Sequence, residues 1–137
     1  LTLSPDVTVK TSLSKTSSDL VADGSAAEKQ MWVSGTDDGK AWIQFDFKKK
    51  YLISRYVVRH AGNVGLPDSL NTRDFKLEVS NDGKKWESAD YQSGNTMPVT
   101  DVDIVPVKAR YIRLSITDSG EDQRARIADI EIYGSVL

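Results

Sequence analysis

Ala41-Trp42-Ile43-Gln44-Phe45-Asp46-Phe47 decides the fold class of this chain. Ala41, Ile43, Phe45 and Phe47 fall on one face and Gln44 and Asp46 on the other, which is the period of a half-buried β-strand. Working outward, Tyr51 to His60 is rich in β-branched and aromatic residues, and Phe75-Lys76-Leu77-Glu78-Val79-Ser80 alternates again. Asn81-Asp82-Gly83 follows at once as a strong turn signal. Val102 to Val105, Arg110 to Thr117 and Ile127 to Tyr133 repeat the pattern, with Pro106 between the first two and a polar loop, Asp118 to Arg126, between the last two. No stretch has comparable helical periodicity. Each strand has one apolar face that a second sheet must cover, so the chain is expected to be all-β, an antiparallel β-sandwich or barrel.

The 137 residues fit one domain, and no linker interrupts them, so residues 1–137 are read as a single module. The Ser/Thr/Lys-rich start from Thr8 to Ser18 is either an entry strand or the edge of an excised piece. Lys+Arg of 18 against Asp+Glu of 20 leaves a formal net charge of -2, which gives nucleic acid or an anionic membrane no electrostatic reason to bind. No apolar run approaches the roughly 20 residues a membrane helix needs. Zero Cys removes disulfides and thiol chemistry, and a single His (His60) removes multi-His zinc sites. No nucleophile elbow, His-Glu-x-x-His motif or phosphate-binding glycine loop is present, so an enzyme is not expected.

If successive strands simply reverse direction, the loops ahead of Ala41, from Ala61 to Arg73, from Gln92 to Pro98 and from Asp118 to Arg126 share one pole. The turns at Lys48 to Lys50, Asn81 to Lys85 and Pro106 to Lys108 then share the other. Long polar loops on a rigid sandwich make a natural recognition site. His60 ends one strand and Arg73 precedes the next, so both are expected at the long-loop pole, where an imidazole and a planar guanidinium suit sugar hydroxyls. Asn63 and Asn71 add amide groups in the same loop. The competing reading makes His60 a solvated strand end, pairs Arg73 with Asp68 or Asp74, and leaves both asparagines as turn residues.

Asp23-Gly24-Ser25 and Asp129 offer carboxylates for a calcium ion, against a plain Asp-Gly turn with no metal. Trp42 and Trp86 read as packing residues, Trp32 as either packing or platform, and Tyr91 as a candidate stacking surface. Lys48-Lys49-Lys50 reads as a solvated turn that protects a sheet edge.

Several segments, taken in order, resemble the discoidin or coagulation-factor type C domain, and within it the family 32 carbohydrate-binding modules. They are Leu20-Val21-Ala22-Asp23-Gly24 with Trp32, Trp42 to Phe47, Val58-Arg59-His60-Ala61-Gly62 and Asn71-Thr72-Arg73-Asp74-Phe75. Val79-Ser80-Asn81-Asp82-Gly83 with Trp86, Ala109 to Leu114, and Ile127 to Gly134 complete the set. The resemblance covers Leu20 to Gly134 and implies an eight-stranded jelly roll. It also implies a structural calcium held by the carbonyl of Leu20, Asp23, the residue at Ser25, the carbonyl of Ala128, and Asp129. Ser25 stands where Asp or Asn is usual in the family, and Ala26 to Met31 is longer than common. In galactose-type members the residues matching His60 and Arg73 bind sugar hydroxyls while a loop aromatic stacks on the ring. Asn63 stands near that aromatic's place here, which leaves Tyr91, Trp32 or Gln123 to complete a site.

The resemblance therefore implies a noncatalytic, monomeric module, with a glycan as ligand and a catalytic domain in cis. The parent is expected to be an extracellular or cell-wall-attached bacterial glycoside hydrolase, directed to terminal galactose, GalNAc or GlcNAc-type sugars of complex glycans. With no leader at Leu1, the domain is expected to be a piece of that parent. Binding is expected to be weak, about millimolar to micromolar, because a shallow site buries little area. The alternatives are a protein- or lipid-interaction discoidin domain, with Leu66 and Leu70 as apolar loop tips, and a structural spacer without a ligand.

Overall fold

In a computed structural model, residues 8–11, 32–33, 41–67, 70–118 and 126–136 are described. They form β1 (Thr8–Thr11), β2 (Trp32–Val33), β3 (Trp42–His60), β4 (Asp74–Ser80), β5 (Glu87–Gln92), β6 (Val99–Asp118) and β7 (Arg126–Val136), with a 3-10 turn at Ala61–Val64 after β3. All pairings are antiparallel, in the order β2-β7-β3-β6-β4-β5, with β1 on β3.

Alternation places the core as expected. Ala41, Ile43, Phe45 and Phe47 are buried, as are Phe75, Leu77 and Val79. They share one cluster with Tyr56, Val58, Ile112, Leu114, Ile130 and Ile132. Residues from the first half of β3 and from β7 can meet in one core only if the sheet closes face to face, which makes the sandwich. Tyr56 is fully buried, and its hydroxyl satisfies itself by donating to Asp90 Oδ2 at 2.6 Å. Burial, and then this bond, push the phenol well above its ordinary pKa.

The expected breaks at Lys48 to Lys50 and at Pro106 are absent, because β3 and β6 each run through them as one long strand. The two strands turn this corner together. Between the pairs Asp46↔Tyr111 and Tyr51↔Ala109, β3 advances five residues while β6 advances two, a bulged register shift. Lys48 takes the left-handed conformation at φ 69° there, with its N–H donating to Asp46 Oδ1 at 2.8 Å. Arg110 grips the same carboxylate through Nε at 2.9 Å and Nη2 at 3.1 Å, and this pair chiefly lowers the Asp46 pKa to about 2. Thr8–Thr11 pairs with β3, so the entry-strand reading is observed for these four residues, while 12–18 lie outside the described residues.

Outside the core, Arg113 lies between two indoles, its guanidinium carbon 4.9 Å from the Trp42 ring centre and 4.3 Å from that of Trp86. Tyr111 meets Trp86 edge-on, so both tryptophans serve packing on the sheet face.

Candidate functional site

Of the four loops expected at one pole, those after β3 and after β5 meet there and are tied by backbone bonds, while 34–40 and 119–125 lie outside the described residues. His60 N–H donates to the Pro98 carbonyl at 2.8 Å, Arg73 N–H to the Asp118 carbonyl at 3.0 Å, and Asn95 N–H to the Arg73 carbonyl at 3.0 Å. Side chains add a second set of ties. The Asn71 carbonyl oxygen accepts from Gly62 N–H at 2.7 Å, and its amide donates to the Thr96 carbonyl at 3.2 Å. Asn95 donates from its amide to the Thr72 carbonyl at 2.9 Å, and Asp74 Oδ1 caps Gly94 N–H at 2.8 Å. Two loops distant in sequence, with the end of β6 at Asp118, thus form one cross-tied rim.

His60 does not face outward from that rim. It is 0% exposed, its Nε2 lies 2.8 Å from Thr100 Oγ1, and its ring tilts against Phe75. Burial strips water from the imidazolium and pushes its pKa down to about 4, so the ring is neutral at physiological pH. Its Nδ1 and the Thr72 hydroxyl are both buried with no hydrogen-bond partner among the described residues. The expected surface pair of His60 and Arg73 is therefore corrected: Arg73 is exposed and His60 lies inside. The solvated strand end of the competing reading fails on the same ground. The loops fold over the end of β3, and no strand-level pattern announces how far they close.

Asn71 is buried as well, because both ends of its amide are spent on backbone groups of two loops. It staples the rim from below, a correction both to its expected contact with sugar and to its reading as a plain turn residue. Tyr91, on β5 opposite Lys76, is 53% exposed. Arg73 forms no ion pair among the described residues, and Asp74 is occupied with Gly94, so the expected Arg73–Asp74 pairing is not seen. Leu66 and Leu70 pack on Ala61 and Ala128 and so are not the free apolar tips a lipid surface would need. Met97 is the exposed apolar side chain of this rim, at 62%. Asn95 and Asp74 were missed as rim builders; Ser93-Gly94-Asn95, with Gly94 at φ 65°, carried the turn signal.

Leu20, Asp23, Ser25 and Gln123 lie outside the described residues, as do the side chains of Trp32 and Asn63. Of the expected calcium ligands, Ala128 and Asp129 are described, both buried on β7, where Asp129 stands opposite Arg59 of β3 in the strand register and the Arg59 side chain bonds Glu131. A carboxylate at this depth suits a cation. Among the described residues no three His, Cys, Asp or Glu cluster as a metal site, so the fit rests on Asp129 and the Ala128 carbonyl.

The sequence model of the F5/8 type C domain matches residues 6–131. The chain belongs to the F5/8 type C, or discoidin, domain family. This domain is similar to the family 32 carbohydrate-binding module of Streptococcus pneumoniae EndoD, with a TM-score of 0.78 and 25% identity over 94% of this chain and 96% of that one. It shares its fold with a Clostridium perfringens family 32 module determined in complex with GalNAc-β-1,3-galactose, with a TM-score of 0.80 and 13% identity over 93% of this chain and 95% of that one. In sequence it is 27% identical over 94 residues to the mouse EGF-like repeat and discoidin I-like domain-containing protein 3, covering 61% of this chain and 19% of that protein. The chain thus spans about a fifth of the length of the curated relatives it first matches. The discoidin domain itself is not catalytic. Among the described residues no helix is long and apolar enough to cross a membrane.

Proposed function

We propose that this discoidin domain is a carbohydrate-binding module that holds a parent glycoside hydrolase, secreted or wall-attached, on terminal galactose, GalNAc or GlcNAc-type sugars of complex glycans. The observation that carries the reading is the cross-tied rim with Arg73 exposed on it; Tyr91 is exposed on β5, opposite Lys76. A guanidinium fork can donate to two neighbouring hydroxyls, and a phenol ring can cover the C–H face of a sugar. The rim's ties spare a ligand the cost of ordering the loops. The likeness to the Clostridium module solved with a GalNAc-containing disaccharide supports the ligand class. His60 acts from beneath, bracing the rim through Thr100 and the Pro98 carbonyl.

A shallow site of this kind gives dissociation constants of about millimolar to micromolar, raised in effect by neighbouring modules. A glycan array probed with the domain and with Arg73→Ala and Tyr91→Ala tests it. Selective signal that both substitutions weaken supports the reading; a silent array, or binding untouched by both, refutes it.

The same proposal includes a structural calcium on Leu20, Asp23, Ser25, Ala128 and Asp129, which would tie the start of the chain to β7. A ligand bound only by the folded state stabilises it by mass action, so chelation lowers the melting temperature by several degrees. An unchanged melting curve removes the calcium and leaves the sugar reading standing.

A further inference from the structure

At the pole opposite the loops, the β3 bend, the turn after β4 and the β6 bend enclose a groove of about 450 Å3. Lys50, Lys85 and Lys108 line it together with Asn81, Glu87 and Val107. The three lysines come from three separate segments, and none has an ion-pair partner among the described residues. Lys84 stands on the same turn, and Lys48 and Lys49 on the neighbouring bend. This pole is therefore locally positive on a chain whose formal charge is -2.

Both walls are fixed before any ligand arrives. Asp46, gripped by Arg110, pins the β3 bend through the Lys48 amide. Asp82 pins the other turn, its Oδ1 accepting from the amides of Lys84 at 2.8 Å and Lys85 at 2.9 Å. Those backbone bonds hold the Asp82 carboxyl down to about 2, so it is a committed turn residue. Asp82 keeps its negative charge, so the groove's lining sets two carboxylates, Asp82 and Glu87, against three lysines. Gly83, at φ 76°, lies under the Tyr111 ring, 3.3 Å from where a Cβ would stand, which locks this turn onto β6.

We propose that this groove is a second, charge-selective carbohydrate site, for a sugar unit bearing a carboxylate or sulfate group. Its volume lies in the range of about 300–1,000 Å3 usual for small-molecule sites and exceeds what a bare inorganic anion fills. The lysines supply mobile point charges for the anionic group, Asn81 an amide for hydroxyls, and Val107 an apolar surface for ring C–H groups. The choice of a sugar rests on the carbohydrate reading above, but the site is separate from Arg73 and Tyr91.

The test is an amide chemical-shift titration of the folded domain with trigalacturonate, galactose 6-sulfate, neutral galactotriose and inorganic sulfate. Acidic sugars are expected to move Asn81, Gly83, Lys85 and Lys108, and Lys85→Gln with Lys108→Gln to weaken binding about five- to tenfold. Added salt should weaken it further, while Arg73→Ala leaves it unchanged. Response to trigalacturonate alone assigns the carboxylate source, and response to galactose 6-sulfate alone the sulfate source. The proposal is overturned if neither acidic sugar moves these amides, if galactotriose moves them equally, or if inorganic sulfate binds as well as the sugars. Failure of the loop-pole reading would show separately, as neutral sugars that leave the Arg73 and Tyr91 amides still.

Discussion

The first loss of stability on acidification should come from a single side chain, because the chain has one histidine and that histidine is buried neutral. His60 has a folded pKa of about 4 against an ordinary value of 6.5, with burial as the cause. Between those values the unfolded chain takes up a proton that the folded one refuses, so stability falls as pH drops through 6.5 and the loss is complete below 4. At about 1.36 kcal/mol per pKa unit, the full loss is about 3 kcal/mol, of which about 2.5 kcal/mol has gone by a pH of about 4.5. Asp46 and Asp82, held near 2, act in the same direction but lower down: their contribution is present above 3.8 and disappears as pH falls towards 2. Urea unfolding followed by tryptophan fluorescence between pH about 7.5 and 4.5 would measure the slope, with His60→Gln as the reference that lacks the titrating group. The lone histidine also gives one ring signal in a proton NMR titration, which reads its pKa directly. A midpoint near 6.5, or the same pH slope in the variant, would refute the burial argument and return His60 to the surface.

Other perturbations probe the rim, the sheet and the corner. Asn71→Ala removes both loop ties and leaves Gly62 N–H and the Thr96 carbonyl unpaired, so it should cost about 2–3 kcal/mol and speed exchange of the Gly62 amide. Gly134→Ala would put a Cβ 2.3 Å from the Leu52 carbonyl oxygen on the neighbouring strand, and a fall of about 1–3 kcal/mol in chemical denaturation is expected. Arg113→Ala withdraws the cation between Trp42 and Trp86; a loss of about 1–2 kcal/mol with a shift in tryptophan emission is expected, and unchanged emission would argue against the stack.

Much of the architecture was legible in the sequence because a strand with one wet face writes its burial pattern at period two. Phe45 and Leu77 could be placed in the core, and the Asn81-Asp82-Gly83 turn located, without knowing any partner strand. β5 was less legible, since Glu87 to Gln92 is an edge strand in which only Ala89 packs on the core, so its presence follows from the turn before it. The exposed half of the candidate site, Arg73 and Tyr91, could be named from position along the chain. The buried half could not, because His60 and Asn71 have side chains that serve equally well in water or inside.

The sequence by itself determined the alternating strands and the turn at Asn81-Asp82-Gly83, which depend on neighbours a few residues apart. Only the tertiary structure decided that β3 and β6 turn the corner unbroken, since either segment alone ends convincingly at Lys48 or Pro106. It alone buried His60 under loops anchored by Pro98, Asn71 and Asn95, and brought Lys50, Lys85 and Lys108 around one groove. The reason is physical: periodicity reports a residue's face on its own strand, whereas solvation and charge clustering depend on chain that returns from tens of residues away.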